Sequence, residues 1–274
     1  MKKSKTAIEE FKSVKEYTQK IFLEDKEEKN QVSLKIQEEE IKKIEAGLRF
    51  EQFYFVVDVV NFKIIKAKGL ETLGYHTETF DLLQYAQTIA SKGVLDLMGV
   101  FWKNIFDFNQ KGISHLQFLK PKFIAQIPMK HKNGDIYLIK RSITPFQYTN
   151  TGKLTQYLSE FTIVKKFNNE APEPRFMDMP ETFVEKFNLF VSSSFIWEES
   201  PFSSKEMDIL RKYVSTDRNQ TAKQLSLELS MTTETLKFYN KEILRKAKDY
   251  FGEIYSFDTA MDVAFFLKNC GVMG

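Results

Sequence analysis

Residues 168–180, NNEAPEPRFMDMP, divide the chain into two parts that obey different hydrophobic rules. Pro172, Pro174 and Pro180 have no amide hydrogen and a fixed φ, so neither a helix nor a central strand can run through the segment. Ahead of it, from residue 50 to 167, the apolar residues come in short runs rich in aromatic and β-branched side chains, the mark of strands. Beyond it, from residue 201 to 274, they recur every three or four positions, the mark of helices. A boundary therefore falls in residues 168–200, which hold this linker and one connecting helix.

The strand-rich block opens with FYFVVDVV (53–60), followed by NFKIIKAKG (61–69). A helical stretch follows in GLETLGYHTETFDLLQYAQTIA (69–90), and VLDLMGVFWKNIFDF (94–108) reads as helical or irregular. Three more strand-like runs close the block. Asn133-Gly134 separates the first two and suits a tight hairpin, because both residues accept positive φ. TNTGK (149–153) separates the last two. Strands, helices and then a three-strand meander give an α+β order.

Residues 1–49 are dense in lysine and glutamate. Phe11, Val14, Thr18 and Ile21 fall at helical spacing, as do Leu34, Ile41, Ile44 and Leu48 with Gln37 as a polar gap. Two readings fit: a pair of helices packed on the next domain, or a short dimerising coiled coil.

The block from 201 to 274 begins with Ser203 and Glu206 at the spacing of a capping box. Met207, Leu210 and Val214 share a face, and TDRN (216–219) breaks the pattern. Leu225 and Leu229 mark a second helix. Thr232 or Thr233 caps a third that runs to about Tyr250, with Leu236, Tyr239, Ile243 and Ala247 inward. A last helix starts at Ser256 or Asp258 and stops at Gly271. The outward face of the third helix carries Glu234, Lys237, Lys241, Arg245 and Lys248. A helix that enters the major groove needs such a division, core on one side and base- and phosphate-seeking groups on the other. Lysine-rich helix faces are also commonly just solvated, so the spacing leaves both readings open.

The order of residues resembles the LuxR-type helix-turn-helix domain. The cap and glutamate of that family correspond to FSSKEMDIL, with Glu206 and Leu210. Its second helix corresponds to Leu225, Ser226 and Leu229, and its turn and recognition start to Thr232, Thr235, Leu236, Lys237 and Tyr239. Ile243, Lys246, Ala260 and Gly271-Val272-Met273 match later positions. Ser226 replaces the usual alanine, Asn219 a glycine and Tyr239 a histidine. The resemblance implies a four-helix domain that binds double-stranded DNA as a homodimer. The expected contact residues are Thr232, Thr235, Lys237, Asn240, Lys241, Arg245 and Lys246. The block from 50 to 167 resembles a PAS domain, on the strand–turn–strand opening, Leu73-Gly74-Tyr75, and the hairpins at Asn133-Gly134 and Thr151-Gly152. That resemblance implies a five-stranded antiparallel sheet with helices on one side, acting as a sensor of a small-molecule or protein signal or as a dimerisation unit. An aromatic-filled core without a ligand is the default.

Other chemistry finds little purchase. The PAS-like block has no cysteine for flavin photochemistry. His76 and His131 fall at turns, His115 in an uncertain segment, and no cofactor or metal is expected. Catalysis is not expected either: no phosphate-binding loop or nucleophile–histidine motif is present. The single cysteine, Cys270, reads as a packing residue. The opening MKKSKTAIEEFKS has no apolar stretch behind it, and no run approaches the roughly eighteen apolar residues of a membrane span, so a cytoplasmic protein is expected. A net charge of +3 neither requires nor excludes nucleic acid. The competing functions are a signalling adaptor that uses both domains to bind protein, and a small-molecule-binding PAS module.

Overall fold

A computed structural model of the chain describes residues 6–22, 29–108, 116–194, 197, 200–215 and 222–273. Asn219, His115 and the TDRN break lie outside them. Helices α1 (Ala7–Phe22) and α2 (Leu34–Gly47) precede strands β1 (Gln52–Asp58) and β2 (Lys63–Lys68). Then come α3 (Leu82–Thr88), α4 (Lys92–Phe108), β3 (Lys122–Lys130), β4 (Ile136–Tyr148), β5 (Leu154–Lys166) and a short β6 (Arg175–Met177). The rest is helical: α5 (Glu181–Ser194), α6 (Ser204–Ser215), α7 (Ala222–Glu228), α8 (Thr233–Phe251) and α9 (Ala260–Asn269).

The described strands form one antiparallel sheet in the order β2-β1-β5-β4-β3-β6. Successive side chains of a strand point to opposite faces, and β1 buries both sets. Phe53, Phe55 and Val57 enter the main core, whereas Tyr54 and Val56 enter a smaller one with Phe146 and Leu158. Burial on both faces explains why this segment reads as an unbroken apolar run. Phe53 stacks on its cross-strand partner Phe161, ring centres 4.4 Å apart.

Five strands were expected, and the described residues form six. The extra one comes from the proline-bearing segment, where Arg175–Met177 pairs with β3 at the sheet's edge, a position that neighbouring prolines permit. The stretch 69–90 is not one helix. It splits into single turns, Leu70–Leu73 and Thr77–Thr79, before α3. Gly74, at φ +79°, ends the first turn in a left-handed conformation that a continuing helix cannot contain.

The N-terminal helices pack on the sheet domain. Ile41, Ile44 and Leu48 of α2 cover Tyr54, Val56, Phe146 and Leu158 on one sheet face. Gln37 is buried among them and donates through Nε2 to the Phe146 carbonyl at 2.8 Å and to Gln156 Oε1 at 3.0 Å. Helix α1 lies over α3 and α4 on the other face, with Phe11 against Phe62.

The helical block is built around Ile209, Leu210, Leu236, Ile243, Ala247, Val263 and Leu267, all essentially inaccessible to water. The last helix is capped by Thr259, not by Ser256 or Asp258. Thr259 and Asp262 form a reciprocal capping box, which satisfies two orphan donors at once. This core is continuous with the core of the sheet domain. At the join, Gly93 of α4 faces Tyr250 and Phe251, and a Cβ there would stand 2.6 Å from the Phe251 ring. Ser91 Oγ donates to the Phe251 carbonyl at 2.7 Å, and the Tyr250 hydroxyl donates to buried Asp96.

Candidate nucleic-acid interface

Helix α8 starts where its sequence says it should. Thr232 is extended at φ −77°, ψ 159°, and its Oγ1 accepts from the Thr235 amide at 3.1 Å. The Thr232 and Thr235 hydroxyls lie 2.9 Å apart. Leu236, Ile243, Ala247 and Tyr250 turn inward and fix the helix on its core. That placement leaves Lys237, Phe238, Lys241, Arg245 and Lys248 exposed.

The expected contact residues divide into three sets. Lys237 and Lys241 are exposed, and neither makes an ion pair with any described residue. With Thr232 and Thr235 they form an open edge over the first half of the helix. Arg245 is exposed but engaged on its own helix: Nη2 lies 2.7 Å from Glu242 Oε2 and Nη1 3.2 Å from Asp249 Oδ2. The Arg245 guanidinium, hydrogen-bonded to Glu242, holds that carboxyl below the ordinary range.

Asn240 and Lys246 are turned toward the protein. Asn240 Nδ2 donates to the Tyr213 hydroxyl of α6 at 2.7 Å. Lys246 Nζ lies 2.6 Å from Glu206 Oε2, where the two side chains are 18% and 4% exposed. Glu206 also accepts from the Ser203 amide at 2.7 Å, completing its own helix cap. One carboxylate therefore caps α6 and ties it to α8.

Phe238 was not among the expected contacts. It is 62% exposed, in the same outward row as Lys237 and Lys241. Its signal was in the sequence, as a large apolar residue out of step with the inward positions.

No described group of three or more histidine, cysteine, aspartate or glutamate side chains is placed to hold a metal. His76 is exposed, and His131 Nδ1 accepts from the Asn133 amide inside the hairpin at 3.0 Å. No described helix is long and apolar enough to cross a membrane.

No family model matches the chain, and no curated protein matches its sequence. Among solved structures it is similar to the phage VqmA–DPO complex, at 12% identity and a TM-score of 0.26, covering 85% of this chain and 89% of that one. A Vibrio cholerae VqmA–ligand–DNA complex matches at 10% identity with the same coverage and TM-score. A Vibrio cholerae VqmA dimer without target DNA, described among LuxR-type receptors, matches at 11% identity and 0.27, over 82% of this chain and 86% of that one. A likeness this slight says nothing about what this chain binds.

Proposed function

We propose that the chain is a transcriptional regulator that binds double-stranded DNA as a homodimer through its helical block, under the control of a PAS-like sheet domain. The observation that carries this reading is the open edge of α8. Lys237 and Lys241 stand exposed beside Phe238, in no ion pair with a described residue, while the opposite face of the same helix is fixed in a core. Lysines so placed neutralise phosphates, and an exposed phenyl ring suits the thymine methyl groups of the major groove. The capped start of the helix adds amide donors that a phosphate can accept. Thr232, Thr235, Lys237 and Lys241 are the primary contacts. Arg245 joins them if DNA draws it from Glu242 and Asp249. Asn240 and Lys246 support the helix from behind.

The antiparallel sheet, with α3 and α4 on one face, supports the PAS-like reading of the block from 50 to 167. Two DNA-binding blocks in a dimer would meet half-sites about one duplex turn apart, roughly 34 Å. An adaptor that binds protein through this face would present an apolar or covered surface, and the open lysines favour DNA.

The test is DNA binding by the Lys237→Ala/Lys241→Ala double variant. Its affinity for genomic fragments should fall on the order of tenfold at about 0.1 M salt, with the salt slope reduced by about two units. Unchanged affinity and slope would remove α8 from the interface.

A further inference from the structure

Two of the cavities between the sheet and its helices share three walls, Met98, Trp102 and Arg141. The first, about 110 Å³, lies between α4 and strands β3 and β4. Pro172, Pro174, Phe183 and Cys270 bring the linker, α5 and the end of α9 to it. The second, about 100 Å³, opens toward α1, with Glu10, Phe11 and Tyr85 in its lining.

Among the described residues that line the first cavity Arg141 is the only charged one, and it is 8% exposed. Its Nε and Nη2 each reach Ser159 Oγ at 3.2 Å. Its guanidinium lies 5.1 Å from the Tyr85 ring centre and 5.7 Å from that of Phe161. No described carboxylate is paired with it. A buried charge without a counter-ion is costly, and natural folds rarely keep one that nothing uses. One further polar atom of the same walls is buried and lacks a hydrogen-bond partner, Trp102 Nε1. Orphaned buried polar atoms are few in native structures and call for a missing partner.

We propose that the first cavity is a binding site for a small apolar monocarboxylate. The carboxylate lies on the Arg141 guanidinium and accepts from Trp102 Nε1, and the apolar body fills the space between Leu97, Ile127 and Phe183. A single cation in otherwise apolar walls selects one negative charge and no second. A cavity of about 150 Å³ takes benzene, so this smaller one suits a short branched chain. The second cavity is the wrong place for the anion, because Glu10 lines it and a Cβ at Gly99 would overlap the Glu10 carboxylate. The ligand is the signal for the regulator proposed above. Its site contains no residue of α8, so loss of ligand binding and loss of DNA binding are separate results.

The experiment is calorimetric titration of the full chain with 2-methylpropanoate, 3-methylbutanoate and benzoate, each beside its neutral amide. At least one acid should bind with a Kd below about 1 mM, and its amide at least about tenfold more weakly. Arg141→Gln should abolish that preference, and Trp102→Phe should weaken the acid severalfold. Glu10→Gln should leave the acid bound as well or better. Equal binding of acid and amide, binding of none of them, or a preference that survives Arg141→Gln would overturn the proposal. If Arg141→Gln fails to fold, the acid–amide comparison on the unaltered chain and the Trp102→Phe variant still decide it.

Discussion

Lys246 follows Arg245 on a helix whose other lysines face water, yet its ammonium ends 2.6 Å from the nearly inaccessible Glu206 carboxylate. Removing one member of a buried pair strands the other, which costs about 3–5 kcal/mol. Glu206→Ala loses the helix cap as well, so urea denaturation should place it in that range. Lys246→Met should also destabilise, by about 3 kcal/mol, while leaving the salt slope of DNA binding untouched. Lys237→Ala should behave in the opposite way: stability within about 0.5 kcal/mol of the parent and a shallower salt slope. Asn240 belongs with Lys246. Asn240→Ala and Tyr213→Phe should each cost about 1 kcal/mol, with the double variant costing less than their sum, because the two groups share one hydrogen bond. Periodicity located the two faces of α8 from Leu236, Ile243 and Ala247 alone. It could not sort Asn240 and Lys246 from Lys237 and Lys241, because the groups that claim them, Tyr213 and Glu206, come from a different helix.

Helix α2 carries the same lesson at the next scale. The steps among Ile41, Ile44 and Leu48 fix a helix with one apolar seam, but a seam does not name its partner. What fills it here is the sheet, and Gln37, the one polar gap in the pattern, is the residue that joins α2 to strands β4 and β5. At the far end Glu45 accepts from the Tyr54 hydroxyl at 2.6 Å and lies 3.6 Å and 3.5 Å from the ammonium groups of Lys66 and Lys68. The Tyr54 hydroxyl, followed by those two lysines, holds the Glu45 carboxyl below its ordinary range. A carboxyl with a depressed folded pKa stabilises in full above its unfolded value, about 4.3, and loses that contribution as pH falls through the folded one. Amide exchange in α2 should therefore quicken relative to the strands as pH drops below about 4, after correction for intrinsic rates. Glu45→Gln should remove that acid-dependent step. Strand β6 was harder to foresee. Its three residues lie between prolines, and only the free edge of β3 makes a strand of them.

The whole molecule has one property that neither half predicts. Residues 168–180 were legible as a break in secondary structure, and a break suggests two bodies on a tether. Instead the main core runs from Phe55 and Phe161 in the sheet domain to Ile243 and Leu267 in the helical block. Glycine at position 93 lets α4 meet the end of α8, Asp96 accepts the Tyr250 hydroxyl there, and Asn169 in the linker bonds the backbone of Ser256. A shared core of this kind makes unfolding of one half expose apolar surface of the other, so the two should melt together. Calorimetry of the unaltered chain should give one transition whose calorimetric and van't Hoff enthalpies agree. Gly93→Ala forces a methyl into the Phe251 and Tyr250 rings and backbone, and overpacking of that sort costs about 1–3 kcal/mol. The cost falls on the join and not on either local core, so the single transition should separate into two. Asp96→Ala, which leaves the Tyr250 hydroxyl without its acceptor in a buried place, should do the same by a chemically different route. Two transitions in the unaltered chain, or one lowered but undivided transition in both variants, would mean that the contacts across the join do not govern how the halves are coupled.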